Sequence, residues 1–178
     1  MKRIVCCVML AMLLVCLAAC SGYNGAMYDH LKNADNYQSC EVVIEDIYYI
    51  DPSTNEKKYD FADKAFVEYD IIFEVTFADD ISQLYPFLGA TPDESAQLEE
   101  YEFQFRVINS NSNILLEQHF FKQVTAGDRI RVRVSSFLYM DSEYFYIAQL
   151  EYAGQEYLNF EEGLKNIVDM MDKNKSPF

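Results

Sequence analysis

Arg129, Arg131 and Arg133 alternate with Ile130, Val132 and Val134, a spacing that puts three guanidinium groups on one face of a β-strand. Guanidinium forks bind carboxylates and other planar anions at two points and stack on aromatic faces. Tyr144 and Tyr146 lie on the strand that returns beside the stripe. Two uses fit this pattern. Arg129, Arg131, Arg133, Tyr144 and Tyr146 form a surface for a ligand or partner, or the arginines pair across strands with Glu143 and Glu151, or with Glu68, Asp70 and Glu74, and stabilise the sheet modestly.

Catalytic patterns are missing from the sequence. His30 and His119 are far apart and lack the local partners of a zinc site or a nucleophile and base. The six glycines form no phosphate-binding loop, dinucleotide fingerprint or nucleophile elbow. Carboxylate pairs occur at Asp79-Asp80, Glu99-Glu100, Glu161-Glu162 and Asp141 with Glu143, but proximity in sequence does not place two acids in one cleft. Asp51-x-Ser53-x-Asn55 starts like a calcium loop, yet Glu56 stands where the loop needs glycine and Ala62 where it needs a bidentate acid. The reading is therefore of a protein that is not an enzyme, with no metal and no cofactor.

Charge narrows the partners. The chain has 14 basic and 29 acidic side chains, a formal net charge of −15. Phosphate contacts need clustered Lys and Arg, so nucleic acid and anionic lipid headgroups are disfavoured.

Lys2 and Arg3 precede an apolar run from Ile4 to Leu17, and Leu17-Ala18-Ala19-Cys20 follows. The run has the length of a secretory signal and is short for a membrane span. Small residues before a cysteine suit peptidase cleavage, and the pattern resembles the lipobox of bacterial lipoproteins. That resemblance implies that Cys20 receives a diacylglyceryl group and becomes the first residue of the mature chain. The protein would then sit outside the cytoplasm on the cell membrane, since two acyl chains hold a protein stably where one does so only reversibly. With two of the 14 basic residues in the leader, 12 remain against 29 acids, a formal −17. Cys40 would be left with no cysteine to pair with, in a position that opens an apolar stretch and reads as buried.

The expected organisation is a signal over 1–19, a lipidated cysteine, tether and short helix over 20–39, and one β-rich domain over 40–178. Strands are predicted over Glu41–Ile50, Phe66–Phe77 and Tyr101–Val107, from alternating apolar and polar residues. Asn109 to Asn113 reads as a polar turn leading into an extended Ile114–Phe121. A hairpin from Gly127-Asp128 returns over Glu143–Tyr152 and ends at Ala153-Gly154. Thr91-Pro92-Asp93-Glu94 signals a short inserted helix, and Phe160, Leu164, Ile167, Val168 and Met171 recur at helical spacing.

The expected fold is mainly β, a small antiparallel barrel or a β-sandwich of about six strands, with the inserted helix and a C-terminal helix. The stretch Thr125 to Tyr152 resembles the last hairpin of OB-type barrels. Asn36-Tyr37-Gln38 before the strand from Glu41 resembles the opening of OB-type domains in some bacterial lipoproteins. Together these readings point to a membrane-anchored lipoprotein that binds an envelope protein or small ligand, of unassigned oligomeric state. The alternative is a solute- or glycan-binding lipoprotein serving a transporter or envelope process.

Overall fold

The computed structural model describes residues 27–78, 103–139 and 142–174, without side chains at 136–139, 142–144 and 174. Cys20 and its lipobox, the Thr91-Pro92 helix signal, Asp79-Asp80, Glu99-Glu100 and Asp141 lie outside the described residues. The strands are β1 (Gln38–Ile50), β2 (Lys57–Lys58), β3 (Ile71–Phe77), β4 (Phe103–Val107), β5 (Arg129–Tyr139), β6 (Ser142–Tyr152) and β7 (Gln155–Leu158). α-Helices α1 (Asn109–Glu117) and α2 (Phe160–Asn174) accompany them, and residues 27–31 are also helical.

Five strands close a barrel in the order β1-β3-β4-β6-β5, with β5 pairing back onto β1. All these pairs are antiparallel except the short contact of β4 with β6, where Phe105 lies beside Phe145 and Arg106 beside Tyr146. The chain thus forms the OB-like barrel and not the sandwich. β2 extends β1, and β7 extends β6.

Alternation in the strands decides which face is buried. Ile130, Val132 and Val134 point inward on β5, as do Phe73 and Val75 on β3 and Phe105 and Val107 on β4. Each such side chain contributes about 1.5–3 kcal/mol on burial. β1 reaches both ends of the sheet: Gln38–Val43 pair with β5 and Val42–Tyr48 with β3, with a bulge between Ile44 and Asp46 that bends the strand around the barrel. Cys40 is free, and burial pushes its thiol up to about 12, so it stays protonated at neutral pH.

Two expectations are corrected here. The first concerns Asn109 to Phe121, which is helix α1 followed by a 3-10 turn at Phe120–Lys122, not a turn and a strand. Its polar side chains bond to Val67, 46 residues away, and to the end of β4 instead of turning the chain. Asn113 accepts the Val67 N–H at 2.8 Å and donates to the Val67 carbonyl at 3.0 Å, and the Ser112 hydroxyl donates to the Val107 carbonyl at 2.9 Å. Leu115, Leu116, Phe120 and Phe121 then plug the barrel end, and His119, at φ 57°, ends the helix in the left-handed region. The second concerns Phe66–Phe77, where the strand begins only at Ile71. The Val67 backbone is committed to Asn113, so it makes no ladder.

The C-terminal hairpin follows the expectation and extends it. Ala153 (φ 51°) and Gly154 (φ 80°) are both left-handed, the pattern of a type I′ hairpin turn, and they reverse the chain into β7. Beyond it α2 lies on β6, where Leu31, Tyr37, Ile108, Tyr146, Ala148 and Ile167 form a second apolar cluster. No described helix is long and apolar enough to cross a membrane.

Contact between α2 and β6 is closest at Gly163. A Cβ there would lie 2.0 Å from the Ala148 carbonyl oxygen, so the helix backbone rests directly on the strand. Alanine normally favours a helix over glycine by about 1 kcal/mol. Here Gly163→Ala is expected to destabilise the protein by about 1–3 kcal/mol in urea unfolding, because the clash is with backbone. A stabilised variant would contradict this docking.

Candidate functional site

The arginine stripe divides when its contacts are followed outward. Arg129 Nη1 lies 3.2 Å from Glu41 Oε1, and Arg131 Nη1 lies 4.0 Å from Glu151 Oε2. Glu41 and Glu151 stand opposite Arg131 on the two flanking strands. A shallow hollow of about 190 Å³ opens between these four side chains at the Ala153-Gly154 turn. Arg133 has a different role. It donates to the carbonyls of Tyr37 (3.4 Å) and Ala34 (3.3 Å), and its guanidinium sits 3.7 Å from the Phe160 ring centroid. It therefore ties the N-terminal segment, β5 and the start of α2 together.

Tyr146 is buried beneath α2, away from the hollow, and the Tyr144 side chain lies outside the described residues. Of the five surface residues named from sequence, Arg129 and Arg131 come together and Arg133 and Tyr146 go elsewhere. Of the carboxylates named as pairing partners, Glu151 meets Arg131. Glu74 is held by Lys57, and Asp70 accepts the Asn109 N–H.

Lys57 organises the outer face of β1 and β3. Asp46 and Glu74 are directly opposite across these strands, a like-charge pair that costs stability unless a cation joins it. Lys57 Nζ supplies that cation, 3.2 Å from Asp46 Oδ2, 3.0 Å from Glu74 Oε2 and 4.0 Å from the Tyr48 ring centroid. Burial opposes the ammonium form, but Glu74 and Asp46 outweigh it and hold Lys57 above its ordinary pKa. The Tyr48 hydroxyl donates to Glu74 at 2.7 Å and accepts from Gln104 at 3.2 Å. Burial, then the Glu74 bond, pushes Tyr48 up to about 12. Tyr59 donates to Asp46 at 3.2 Å and closes the cluster.

The connection between β1 and β3, residues 51–70, carries the chain from this cluster over the α1 end of the barrel. Asp51 accepts from the Ser53 N–H and hydroxyl, which fixes the first turn and holds Asp51 below the usual carboxylate range. Phe61 packs edge-on against Tyr49 and Phe121, and Val67 is held by Asn113. Tyr49 donates to Asp60 at 2.8 Å, and Lys64 donates to the Tyr49 hydroxyl at 2.9 Å while lying 4.8 Å from its ring centroid.

Anchored in this way, the connection leaves Phe66 and Tyr69 exposed on one side and Tyr59 at the Lys57 cluster. Tyr59 is 57% exposed, Phe66 60% and Tyr69 37%, and these are the exposed large apolar residues among the described residues. Tyr69 stacks on Tyr49 with centroids 5.3 Å apart and planes 10° apart. Hollows of about 370 Å³ and 260 Å³ flank Lys64, the first toward Leu116 and His119, the second against Phe66, Glu68 and Tyr69. Among the described residues, no three His, Cys, Asp or Glu side chains gather as metal ligands.

No protein-family profile matches the chain, and neither a curated protein nor a solved structure does.

Asp70 pins the far end of the connection, accepting the Asn109 N–H at 3.1 Å at the start of α1. Burial raises its pKa, against the opposing pull of the Asn109 bond and of Arg106. A raised folded value means that protonation stabilises the fold: this contribution is full below the unfolded value of about 3.9 and is lost as pH rises through the folded value. Asp70→Asn keeps an acceptor oxygen and removes the charge. It is expected to gain stability relative to the wild type at pH 7 and to lose that gain at pH 3, measured by urea unfolding. An equal effect at both pH values would contradict the burial of a charged Asp70.

Proposed function

We propose that this chain is a bacterial lipoprotein, held outside the cytoplasm by a lipidated Cys20, whose OB-like barrel is a non-catalytic binding module. One observation carries the binding reading: Phe66 and Tyr69 stand exposed along one hollow of a connection that the fold anchors through other residues, Tyr49, Phe61 and Val67. A core does not need two exposed rings beside one hollow. Clustered aromatic side chains of this kind suit contact with a partner.

The lipobox supports the tether, and the direction of β1 fits it. The N-terminal segment enters at Gln38, and the aromatic connection leaves at Ile50, 12 residues on, which is up to about 40 Å along an extended strand. A barrel tethered at its first strand would hold the aromatic end away from the bilayer. The acidity of the chain fits a protein or small-molecule partner and disfavours nucleic acid.

Labelling of intact bacteria with an alkyne fatty acid, followed by external cross-linking, tests both halves. The wild type is expected to take up label, fractionate with membranes and give a discrete cross-linked adduct, and Cys20→Ala to remain unlabelled. An unlabelled wild type would overturn the tether. A labelled wild type without any adduct would overturn the binding reading.

A further inference from the structure

We infer that the aromatic connection is a docking surface for a cationic peptide segment, with an arginine or lysine side chain lying on the Tyr69 ring beside Glu68. The inference rests on the binding reading above and names the partner's chemistry.

Among the described residues the chain uses this contact four times, one of them Lys32 over Tyr28 at 4.9 Å. Lys57 lies 4.0 Å from the Tyr48 ring centroid between two carboxylates, Lys64 lies 4.8 Å from that of Tyr49 and 3.2 Å from Asp60, and Arg133 lies 3.7 Å from that of Phe160. A cation over an aromatic face gains from the ring quadrupole, and an adjacent carboxylate adds to that gain. Tyr69 stacks near-parallel on Tyr49, the ring that Lys64 already meets. It keeps 37% of its surface open, and no cation lies over it among the described residues.

Local charge favours the same occupant. Lys64 and Lys122 are already committed, to Asp60 at 3.2 Å and Asp63 at 3.1 Å. Glu68 and Glu117 are exposed, and their carboxylates have no partner among the described residues. Four carboxylates against two lysines make this end negative, within a chain of net charge −15. Anionic partners are repelled. Phe66 lines the Tyr69 hollow and offers an apolar contact to the residue beside the incoming cation, so the surface suits a peptide in which basic and apolar side chains alternate.

The test is a fluorescence-anisotropy titration of the full chain in neutral detergent with a labelled peptide of alternating arginine and leucine. Saturable binding is expected. Glu68→Gln with Glu117→Gln, and separately Phe66→Ser with Tyr69→Ser, are each expected to weaken it about tenfold. Glu161→Gln with Glu162→Gln, an equal charge change on α2, is expected to leave it unchanged. The exposed glutamates keep the test decisive if the aromatic variant is unstable. Equal weakening by the α2 variant would show diffuse attraction and overturn the site. So would saturable binding of a chito-oligosaccharide in place of the peptide, or no peptide binding at all. If the peptide fails while the cell-surface adduct forms, this site falls and the binding reading stands.

Discussion

Closure of the barrel depends on β1 pairing on both sides at once. Val42 and Val43 are paired with β5 and β3 together, and the bulge between Ile44 and Asp46 bends the strand enough to serve both. Without that double pairing the sheet would keep two free edges, and Ile130, Val132 and Val134 would lose the opposing wall that buries them. The same strand sets the outer surface. Glu41 reaches Arg129 from it, Asp46 and Tyr48 receive Lys57, and Tyr49 anchors the connection that follows.

Local patterns were legible in the sequence where neighbouring residues decide the outcome. The Arg129 to Val134 alternation, the Ala153-Gly154 turn and the helical spacing from Phe160 to Met171 each depend on adjacent or nearby positions, and each appears as read. The OB-like closure was partly legible through the hairpin beginning at Thr125. The failures lie where a polar residue bonds across the chain. Asn113 and Val67 are 46 residues apart, and their bonds both make α1 a helix and shorten β3. No local rule distinguishes such an asparagine from a turn residue.

The candidate site was legible only in pieces. Three arginines on one face were readable, but their separation into a charged hollow and a structural clamp depends on where α2 and the N-terminal segment pack. The Lys57 cluster gathers residues 46, 48, 57 and 74, which the register of β1 against β3 and the pairing of β2 with β1 bring together. An acidic protein has few cations to use. Here most described lysines and arginines are placed against a carboxylate or an aromatic ring, and the exposed rings of the β1–β3 connection stand out against that economy.

Native-state hydrogen exchange, read residue by residue, tests most directly whether β1 seals the barrel. Amides of β1 paired with β5, and of β5 itself at Val132, are expected to exchange only through global unfolding, while those of the 52–66 connection exchange through local opening. Local exchange at the β1–β5 pairing, with β3 and β4 still protected, would contradict the account, because the barrel would then open at that seam without losing its fold.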